Sequence, residues 1–509
     1  MRSPGGCLPT VDGMNSPVID LIVIGGGING VGIARDAAGR GLSVVLCEKD
    51  DLGAHTSSAS TKLIHGGLRY LEQYEFRLVA EALREREILL RNAPHIVWPL
   101  RFVLPHDRAM RPRWMLRAGL ALYDGLAGFR RTLPRSRAIR LDRPPHRTVL
   151  QDRLARGFEY SDCWVEDSRL VVLAAMDARA RGARIMTRTQ CTELKRFPDR
   201  WQATLRGAEG EQVIEARAVV NAAGPWVDSV ARSALGTGTT AHLRLVKGSH
   251  IVVPQTYPGE HAYILQQPDG RIVFAIPFER DFTLIGTTDE AFNGNPDSVA
   301  ISDAEIDYLI AAVGRSFRSG IARDEIVWSY SGVRPLYEDK ARSNSTVTRD
   351  YVFELDASQG APILSVYGGK ITTFRRLAEH ALRRLAAHLP MGPAWTAEAP
   401  LPGGDMPDFA GFLWDASGRF PWLPPEMLQR LARAYGTRID MILEGASALG
   451  DLGCHLGGTL YEAELRYLVD HEFARSAEDV LWRRSKLGLH LAPEARAAVG
   501  RWFADNPPA

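Results

Sequence analysis

The most regular pattern of apolar and polar positions lies near the start of the chain, at about residues 18–49. Residues 21–24 form an apolar run of strand length that ends in glycine, and residues 43–46 form a second such run. Between them, small and apolar residues recur at helical spacing until Gly41, where a helix end favours a left-handed backbone. This order predicts a strand, a helix and a second strand, the β-α-β unit of an α/β fold.

Three glycines mark the turn between the first strand and the helix. Gly25, Gly27 and Gly30 follow the pattern G-x-G-x-x-G, and Glu48 stands at the end of the second strand. In this context the glycines let the backbone approach a pyrophosphate, the helix N-terminus supplies amide donors, and the acid binds ribose hydroxyls. The unit is therefore predicted to bind a dinucleotide. The surrounding strand, helix and acid disfavour the alternative, a glycine-rich turn in another kind of α/β protein.

Two later segments are predicted to return to the same cofactor. Residues 217–226 have an apolar strand pattern that ends in the small residues Ala222, Ala223 and Gly224. Residues 362–374 combine a strand, a double glycine and the start of a helix, which we expect to run to about Leu389. A dinucleotide domain assembled from three distant segments is the usual plan of large flavoproteins.

Between these segments the pattern favours antiparallel strands, over residues 243–254, 263–278 and 282–288. A capping box at Ser302 and Glu305 predicts the start of a helix. After a break rich in proline and glycine at 400–407, the pattern becomes helical to the end. The predicted division is a disordered leader over 1–17, an oxidoreductase region over 18–398 and a C-terminal helical domain over 399–509. Within 18–398, we expect cofactor-binding segments at about 18–95, 155–240 and 360–390, and substrate or cap segments at about 96–154 and 241–359.

The composition narrows the class of protein. Hydrophobic residues make up 45% and charged residues 24% of the chain, and the net charge of +2 gives no case for nucleic acid. The leader lacks the apolar core of a secretory signal, and no run of apolar residues is long enough to span a bilayer. We therefore expect an intracellular protein that is soluble or peripheral to a membrane. The scattered cysteines fit a reducing compartment and exclude the common zinc patterns: Cys7, Cys47, Cys163, Cys191 and Cys454.

Residues 106–147 depart from this near-neutral charge. An apolar stretch from Trp114 to Phe129 lies among arginines that far outnumber the acids. Such a segment suits a helix on an anionic bilayer surface, and a solvated basic loop over a buried helix is an equally good interpretation. The arginines are Arg108, Arg111, Arg113, Arg117, Arg130, Arg131, Arg135, Arg137, Arg140, Arg143 and Arg147.

Five strings complete the motifs: TSSASTKLIHGGLRYLE at 56–72, FEYSDCW at 158–164, KGSH at 247–250, WSYSGVRPL at 328–336 and YGGK at 367–370. In this order they resemble the FAD-dependent glycerol-3-phosphate dehydrogenases, most closely the aerobic, quinone-linked enzymes of bacteria. The resemblance covers nearly the whole chain. It implies an α/β fold with a glutathione-reductase-like FAD-binding domain, an antiparallel-sheet substrate domain and a C-terminal helical domain.

The same resemblance implies a reaction and its partners. The substrate would be sn-glycerol 3-phosphate, oxidised to dihydroxyacetone phosphate by hydride transfer to FAD, with a quinone as electron acceptor. The enzyme would attach peripherally to the cytoplasmic face of the inner membrane. The resemblance does not decide whether the protein is a homodimer, and no metal is expected. Thr61, where the family often has serine, is a slight departure that touches no expected ligand.

By resemblance, six residues line the substrate pocket: Arg69, Tyr70, His250, Arg334, Arg349 and Lys370. Their types suit a phosphate ester, since arginine binds phosphate oxygens through paired hydrogen bonds and lysine acts as a compact charge. His250 is the predicted catalytic base, because only histidine titrates near neutral pH without a large shift. The alternative is a hydrogen-bonded sheet histidine with no catalytic part. Arg334 is expected to stabilise charge on the substrate oxygen, and His65 to position the loop that contacts the flavin.

Cofactor contacts are predicted from all three cofactor-binding segments. Lys370 and the positive end of the helix after it are expected near the pyrimidine edge of the flavin, where they favour hydride acceptance. For the serines and Lys62, the alternative is a capped, solvated loop. The predicted set is Gly25, Gly27, Ile28, Asn29, Gly30, Glu48, Ser57, Ser58, Lys62, Leu63, His65, Gly66, Ala222, Ala223, Gly224, Trp226, Gly369, Lys370 and Thr372.

Three other functions compete with this one. The residues do not distinguish an oxygen-using oxidase of the same fold, since only the basic segment argues for quinone. A related FAD amine oxidase would need a carboxylate clamp and an apolar pocket rather than a cationic cluster. A binding protein that has lost its cofactor is disfavoured by the intact glycine pattern, Glu48 and both later cofactor segments.

Overall fold

The protein is described here by a computed structural model that covers residues 17–107, 111–128, 132–235, 243–337 and 350–507, with only the backbone of Arg69. The predicted leader lies almost wholly outside these residues. The strands are β1 (Ile19–Ile24), β2 (Val44–Cys47), β3 (Leu63–Ile64), β4 (Val97–His106), β5 (Arg137–Arg140), β6 (Arg156–Val165), β7 (Arg184–Met186), β8 (Gln190–Arg196), β9 (Trp201–Gly207), β10 (Gly210–Asn221), β11 (Leu243–Pro254), β12 (Ala262–Gln266), β13 (Ile272–Phe278), β14 (Phe282–Gly286), β15 (Glu290–Ala291), β16 (Trp328–Tyr337), β17 (Val352–Asp356), β18 (Ile363–Tyr367), β19 (His455–Gly457) and β20 (Leu460–Tyr461).

The helices of the described residues are α1 (Ile28–Gly39), α2 (Phe76–Asn92), α3 (Arg113–Leu126), α4 (Asp167–Ala180), α5 (Val227–Leu235), α6 (Asp303–Gly314), α7 (Phe374–Leu385), α8 (Phe409–Arg419), α9 (Pro425–Tyr435), α10 (Ile439–Ile442), α11 (Glu462–Glu472) and α12 (Pro493–Asp505). Helix α7 ends at Leu385, slightly before the predicted Leu389. Among the described residues, no helix has the length and apolar character needed to cross a bilayer.

The first sheet confirms the predicted β-α-β unit. Strands β7, β2, β1, β10 and β18 lie side by side and parallel, with β17 antiparallel at one edge and β8 and β9 extending from β10 as a meander. On one face of β1, Leu21 and Val23 pack in a core shared with α1, α4 and α7. On the other face, Ile22 and Ile24 pack against residues of the meander. A parallel strand buried on both faces explains the continuous apolar run.

The second sheet has ten strands, in the order β15, β11, β14, β13, β12, β4, β6 and β3, with β16 paired to β11 and β5 to β6. It is antiparallel except where β12 pairs with β4. Helix α6 covers one face and starts with the predicted capping box of Ser302 and Glu305. Helices α2 and α3 contribute to the core on the other face. Strands β3 and β6 belong to this sheet although they lie in or at the edge of segments predicted to bind the cofactor, and β17 joins the first sheet. Apolar runs alone do not determine the sheet that a strand joins.

The C-terminal domain forms a helical core of its own, with the short hairpin β19–β20 and a π-helix at Asp479–Arg484. It is fastened to the first domain by buried ion pairs. The Arg484 guanidinium lies 2.7 Å from the Asp51 carboxylate, and Arg169 lies 2.8 Å from Glu472. These pairs join residues far apart in the sequence, so the helical domain is held in a defined position on the cofactor-binding domain.

Candidate active site

A cavity of about 500 Å³ opens at the carboxyl ends of β1, β2 and β10, between the two sheets. In α/β sheets, ligands bind in this crevice beyond the ends of the parallel strands. All three predicted cofactor segments reach it. Predicted cofactor residues that line it are Gly25, Gly27, Ile28, Asn29, Glu48, Ser57, Leu63, His65, Ala222, Ala223, Gly224, Trp226, Gly369, Lys370 and Thr372.

The turn after β1 has the shape that a pyrophosphate needs. Gly25 has a φ of 110°, and a Cβ at this residue would lie 2.5 Å from the carbonyl oxygen of Ala222. A Cβ at Gly30 would collide with the carbonyl oxygen of Gly25. Ser57 accepts a hydrogen bond of 3.0 Å from the backbone N–H of Ile28 at the start of α1. The result is a bare backbone at the positive end of a helix, which suits the phosphates of a dinucleotide.

Glu48 is held at the end of β2 by two backbone donors. The N–H of Gly26 donates to its carboxylate at 2.6 Å, and the N–H of Asp50 donates at 2.8 Å. Burial raises the pKa of Glu48, while these hydrogen bonds act in the opposite direction. The carboxylate also borders the cavity, in the position expected of the acid that binds ribose hydroxyls.

Two residues beside this acid were not predicted as site residues. His55 lies 2.7 Å from Asp50 and edge-on to the Trp226 ring, and the Lys49 ammonium lies 3.9 Å from the centre of the same ring. Both line the cavity. The sequence does not single out His55, because its neighbour Trp226 comes from a distant segment.

The third cofactor segment is tied to the first and to the loop of residues 56–72. The Asn29 amide donates to the carbonyl of Gly368 at 3.0 Å, and the N–H of His65 donates to the Thr372 hydroxyl at 3.3 Å. Burial, with Lys370 nearby, lowers the pKa of His65 to about 4. His65 is therefore a neutral residue beside the cavity near neutral pH, which suits the predicted positioning role.

Lys370 presents a buried positive charge at the cavity. Its ammonium lies 3.9 Å from the centre of the Tyr70 ring, and it has no hydrogen-bond partner among the described residues. A buried cation without a partner is costly unless a negative group reaches it. The residues present thus fit an anionic or electron-rich ligand at this end of the cavity, as a bound flavin and a phosphorylated substrate would provide.

His250 is positioned on β11 by three neighbours. Its Nε2 lies 3.0 Å from the Thr61 hydroxyl, its ring stacks on Tyr330 at 4.9 Å, and Gly286 on β14 leaves the space that the ring fills. Its Nδ1 is buried and has no partner among the described residues. Burial, helped by the positive charges of Lys62 and Arg334, lowers the pKa of His250 to about 3. The expectation that this histidine titrates near neutral pH is therefore wrong, and the ring is neutral there.

Arg334 enters the cavity from β16, beside His250. Its guanidinium donates to the carboxylate of Asp289 at 3.1 Å and to the carbonyl of Thr288 at 3.3 Å. A Cβ at Gly248 would lie 3.0 Å from the guanidinium, so this glycine makes room for it. Asp289 borders the cavity as well and was not predicted from the sequence.

Several predicted residues do not line the cavity. Gly30 lies beneath the turn, Gly66 donates its N–H to the Tyr123 hydroxyl at 2.8 Å, and the Ser58 hydroxyl bonds the carbonyl of His55. The Lys62 ammonium is buried against Asp167 at 2.7 Å, so its side chain does not reach the cavity as a cofactor ligand would. Arg349 lies outside the described residues, and so does the side chain of Arg69. Their predicted contacts stay predictions.

The fold and this cavity define a flavin-dependent oxidoreductase of the α/β class. Residues 20–375 match the family model of FAD dependent oxidoreductases, and residues 394–504 match that of the C-terminal domain of alpha-glycerophosphate oxidase. The glycerol-3-phosphate dehydrogenase of Pseudomonas aeruginosa is 54% identical, over 96% of either chain. The chain belongs to the family of FAD-dependent glycerol-3-phosphate dehydrogenases. Its predicted fold class and its cofactor, FAD, are thereby confirmed.

Two further relatives bear on substrate and fold. The D-erythritol 1-phosphate dehydrogenase of Brucella abortus is 52% identical, over 96% of this chain and 98% of its own. The crystal structure of the glycerol-3-phosphate dehydrogenase from Bacillus halodurans complexed with FAD superposes with a TM-score of 0.77 at 29% identity, over 97% of this chain and 91% of its own. Related proteins thus act on phosphorylated polyols of different length.

Proposed function

We propose that this protein oxidises sn-glycerol 3-phosphate to dihydroxyacetone phosphate and passes the electrons to a quinone at a membrane. The observation that carries the proposal is that a neutral histidine, an arginine and a lysine with a buried ammonium group line the same cavity as the predicted FAD-binding residues. Bound FAD supplies the hydride acceptor. The chain must supply a base for the hydroxyl proton and positive charge for the phosphate.

His250 takes the part of the base. With a pKa lowered to about 3, its ring is neutral throughout the physiological range, so a ring nitrogen is free to accept the hydroxyl proton. The same shift makes the ring a weaker base than a histidine in water, so proton transfer depends on how closely the ring is positioned to the substrate. The nearby guanidinium of Arg334 stabilises negative charge that develops on the substrate oxygen. The Thr61 hydroxyl, 3.0 Å from Nε2, fixes the direction of the ring.

Lys370 lines the cavity and would supply positive charge to the bound cofactor and substrate. Its place directly before the helical turn at Ile371–Thr373 adds the positive end of that turn and of α7. Arg69 and Arg349 are proposed to complete the phosphate site together with Tyr70, which lines the cavity. This cationic set favours a phosphate ester over an amino acid, whose carboxylate and amine would need opposite charges.

The membrane part of the proposal rests on α3. Trp114 is 71% exposed on this helix, and Met115 and Leu122 are also exposed, while Leu120 and Tyr123 face the core. In the neighbouring turn before α2, Tyr74 is exposed. Glu72 of this turn forms an ion pair of 2.8 Å with Arg111, which lies just before α3. Exposed aromatic and apolar side chains among arginines suit attachment to an anionic membrane surface, on the cytoplasmic side where a quinone is accessible.

A steady-state assay tests the whole proposal. Purified protein should reduce a soluble quinone analogue when given glycerol 3-phosphate, and should turn over much more slowly with oxygen alone. Faster turnover with oxygen would make the protein an oxidase. A higher kcat/KM with D-erythritol 1-phosphate than with glycerol 3-phosphate would support the same oxidation reaction but identify the four-carbon phosphate as the preferred substrate.

A further inference from the structure

The loop of residues 56–62 forms a wall of the cavity and is fastened from behind. Ala59, Ser60 and Thr61 line the cavity, whereas the side chain of Lys62 turns away from it and is fully buried. Lys62 has a φ of 59°, a left-handed conformation that is unusual for a residue with a side chain. Backbone of this kind persists only where surrounding contacts hold it.

Asp167, at the start of α4, provides those contacts. One carboxylate oxygen lies 2.7 Å from the Lys62 ammonium, and the other accepts a hydrogen bond of 2.8 Å from the Ser60 hydroxyl. The Lys62 ammonium also donates to the carbonyl of Ser58 at 3.1 Å. Lysine and aspartate are both fully buried. These contacts hold the loop at Ser58, Ser60 and Lys62, on the side opposite to the cavity.

The same loop determines where the His250 ring lies. Thr61 contacts Nε2 of the ring, and the Tyr330 hydroxyl donates to the carbonyl of Ser60 at 2.9 Å. The ring of Tyr330 stacks on His250 with an angle of 19° between the planes. The Lys62 ammonium lies 5.1 Å from the centre of the Tyr330 ring. His250 is therefore held on two sides by groups that depend on one loop.

We propose that Lys62 is a positioning residue, whose buried ion pair with Asp167 fixes the loop that orients His250 for catalysis. A buried ion pair is a poor source of stability, because apolar side chains of similar volume often stabilise a fold as well or better. It does specify one arrangement of the groups that it joins. This inference rests on the proposed role of His250 as the base.

Residues of the C-terminal domain cover the side of the Lys62–Asp167 ion pair that faces away from the cavity. Lys486 is buried and donates to the Ser168 hydroxyl at 3.2 Å, next to Asp167. The Trp482 ring lies tilted against Trp328, with the ring centres 4.8 Å apart, and Trp328 in turn contacts Tyr330 at 5.0 Å. Water is thereby kept from the ion pair, which explains how a helical domain remote from the cavity supports the site.

The test uses the FAD-loaded enzyme and measures flavin reduction by glycerol 3-phosphate without oxygen. Lys62→Met should slow reduction at saturating substrate by about 10–100-fold, the scale of a misoriented catalytic group, and change KM less than about threefold. Because Lys62→Met leaves the buried Asp167 carboxylate without its lysine, Lys62→Met/Asp167→Asn is measured as well. The double variant should regain thermal stability and remain slow. Lys195→Met, at an exposed lysine of β8, is the matched control and should behave as wild type.

A second comparison separates this inference from the proposed function. If Lys62 acts through His250, adding Lys62→Met to His250→Gln should cause little further loss. Additive losses, or a normal reduction rate in both Lys62 variants, would overturn the positioning role while leaving His250 as the base. A normal rate in His250→Gln alone would overturn the proposed function of His250 and with it this inference.

Discussion

The chemistry of His250 depends on what surrounds its ring. Burial between β14 and β16 disfavours the charged form, and the nearby cations Lys62 and Arg334 disfavour it further. A histidine in water would be partly protonated near neutral pH. In this site the ring is neutral, so the proposed base has a free nitrogen at every physiological pH.

We therefore expect His250→Gln to lower kcat by about 10²–10⁴-fold, the usual contribution of a positioned base, with a much smaller change in KM. The wild-type profile of kcat/KM should show no histidine ionisation between about pH 5 and 8, since the pKa of His250 is lowered to about 3. Steady-state kinetics over this pH range tests both points. A wild-type kcat in the variant would exclude His250 as the base.

Spacing alone predicted some of these residues and missed others. Glu48 and the glycines could be predicted because their partners lie within one β-α-β unit. The ion pair of Lys62 with Asp167 could not, because the two residues are distant in the chain and a lysine in a serine-rich loop has the same pattern as a phosphate ligand. Asp289 and His55 were missed for the same reason. The lowered pKa of His250 depends on burial, which a sequence does not display.

Among the secondary-structure elements, α1 has the most direct link between backbone shape and cofactor. Its first turn crosses the end of β1 so closely that Gly30 touches the backbone of Gly25. Any side chain at this position must push the helix away from the sheet. The phosphate cradle and the packing of α1 thus depend on the same contact.

Gly30→Ala should yield protein without bound FAD, or with far weaker binding, because the new Cβ would collide with the carbonyl oxygen of Gly25. Gly418→Ala in α8 is the control, since no atom outside its own helix lies within 4 Å of the added carbon. This control should be neutral or stabilise by about 0.5–1 kcal/mol, the difference in helix propensity. Visible absorption of the purified variants and their melting temperatures measure both effects. Retention of normal FAD content in Gly30→Ala would contradict the proposed phosphate site.

Helix α3 gives a separate prediction about the membrane. Trp114→Ser with Met115→Ser should remove the part of vesicle binding that resists salt, because apolar burial is not screened. Arg135→Gln with Arg137→Gln should weaken the salt-sensitive part by about 1 kcal/mol per arginine. Sedimentation with vesicles of acidic lipid, at low and moderate salt, measures both parts.

Trp414→Ser provides the control for this experiment, because Trp414 is the comparably exposed tryptophan of the C-terminal domain. It should sediment as wild type does. Release by Trp414→Ser, with no effect of the α3 variants, would move the attachment site to the C-terminal helices. It would also make residues 106–147 a solvated basic segment, the other interpretation that the sequence allowed.

At the scale of the whole molecule, buried charges join the two domains. Asp51 follows β2 in the cofactor domain and is paired with Arg484 of the C-terminal domain, both nearly inaccessible to water. The sequence predicted the helical domain and its approximate start, but its apolar patterns contain no information on which acid meets which arginine. The order of strands in the second sheet could not be predicted for a similar reason, since β4 pairs with β12, which lies far along the chain.

Arg484→Met should lower the free energy of unfolding by about 3–5 kcal/mol, because it leaves Asp51 buried with a weaker set of partners. Arg466→Met breaks an exposed ion pair with Glu462 and should cost about 0.5 kcal/mol or less. Urea unfolding of the two FAD-loaded variants, monitored by flavin fluorescence and circular dichroism, compares them. Equal stability of the two variants would show that the interdomain ion pair contributes little.

The central claim is that a phosphorylated polyol delivers its hydride to FAD in this cavity. The most direct measurement is anaerobic mixing of the purified yellow protein with glycerol 3-phosphate, D-erythritol 1-phosphate, glycerol or glycine while flavin absorbance is recorded. We predict rapid bleaching with glycerol 3-phosphate, slower bleaching with the longer phosphate, and none with glycerol or glycine. Bleaching by glycine, or none by either phosphate, would contradict the proposed function.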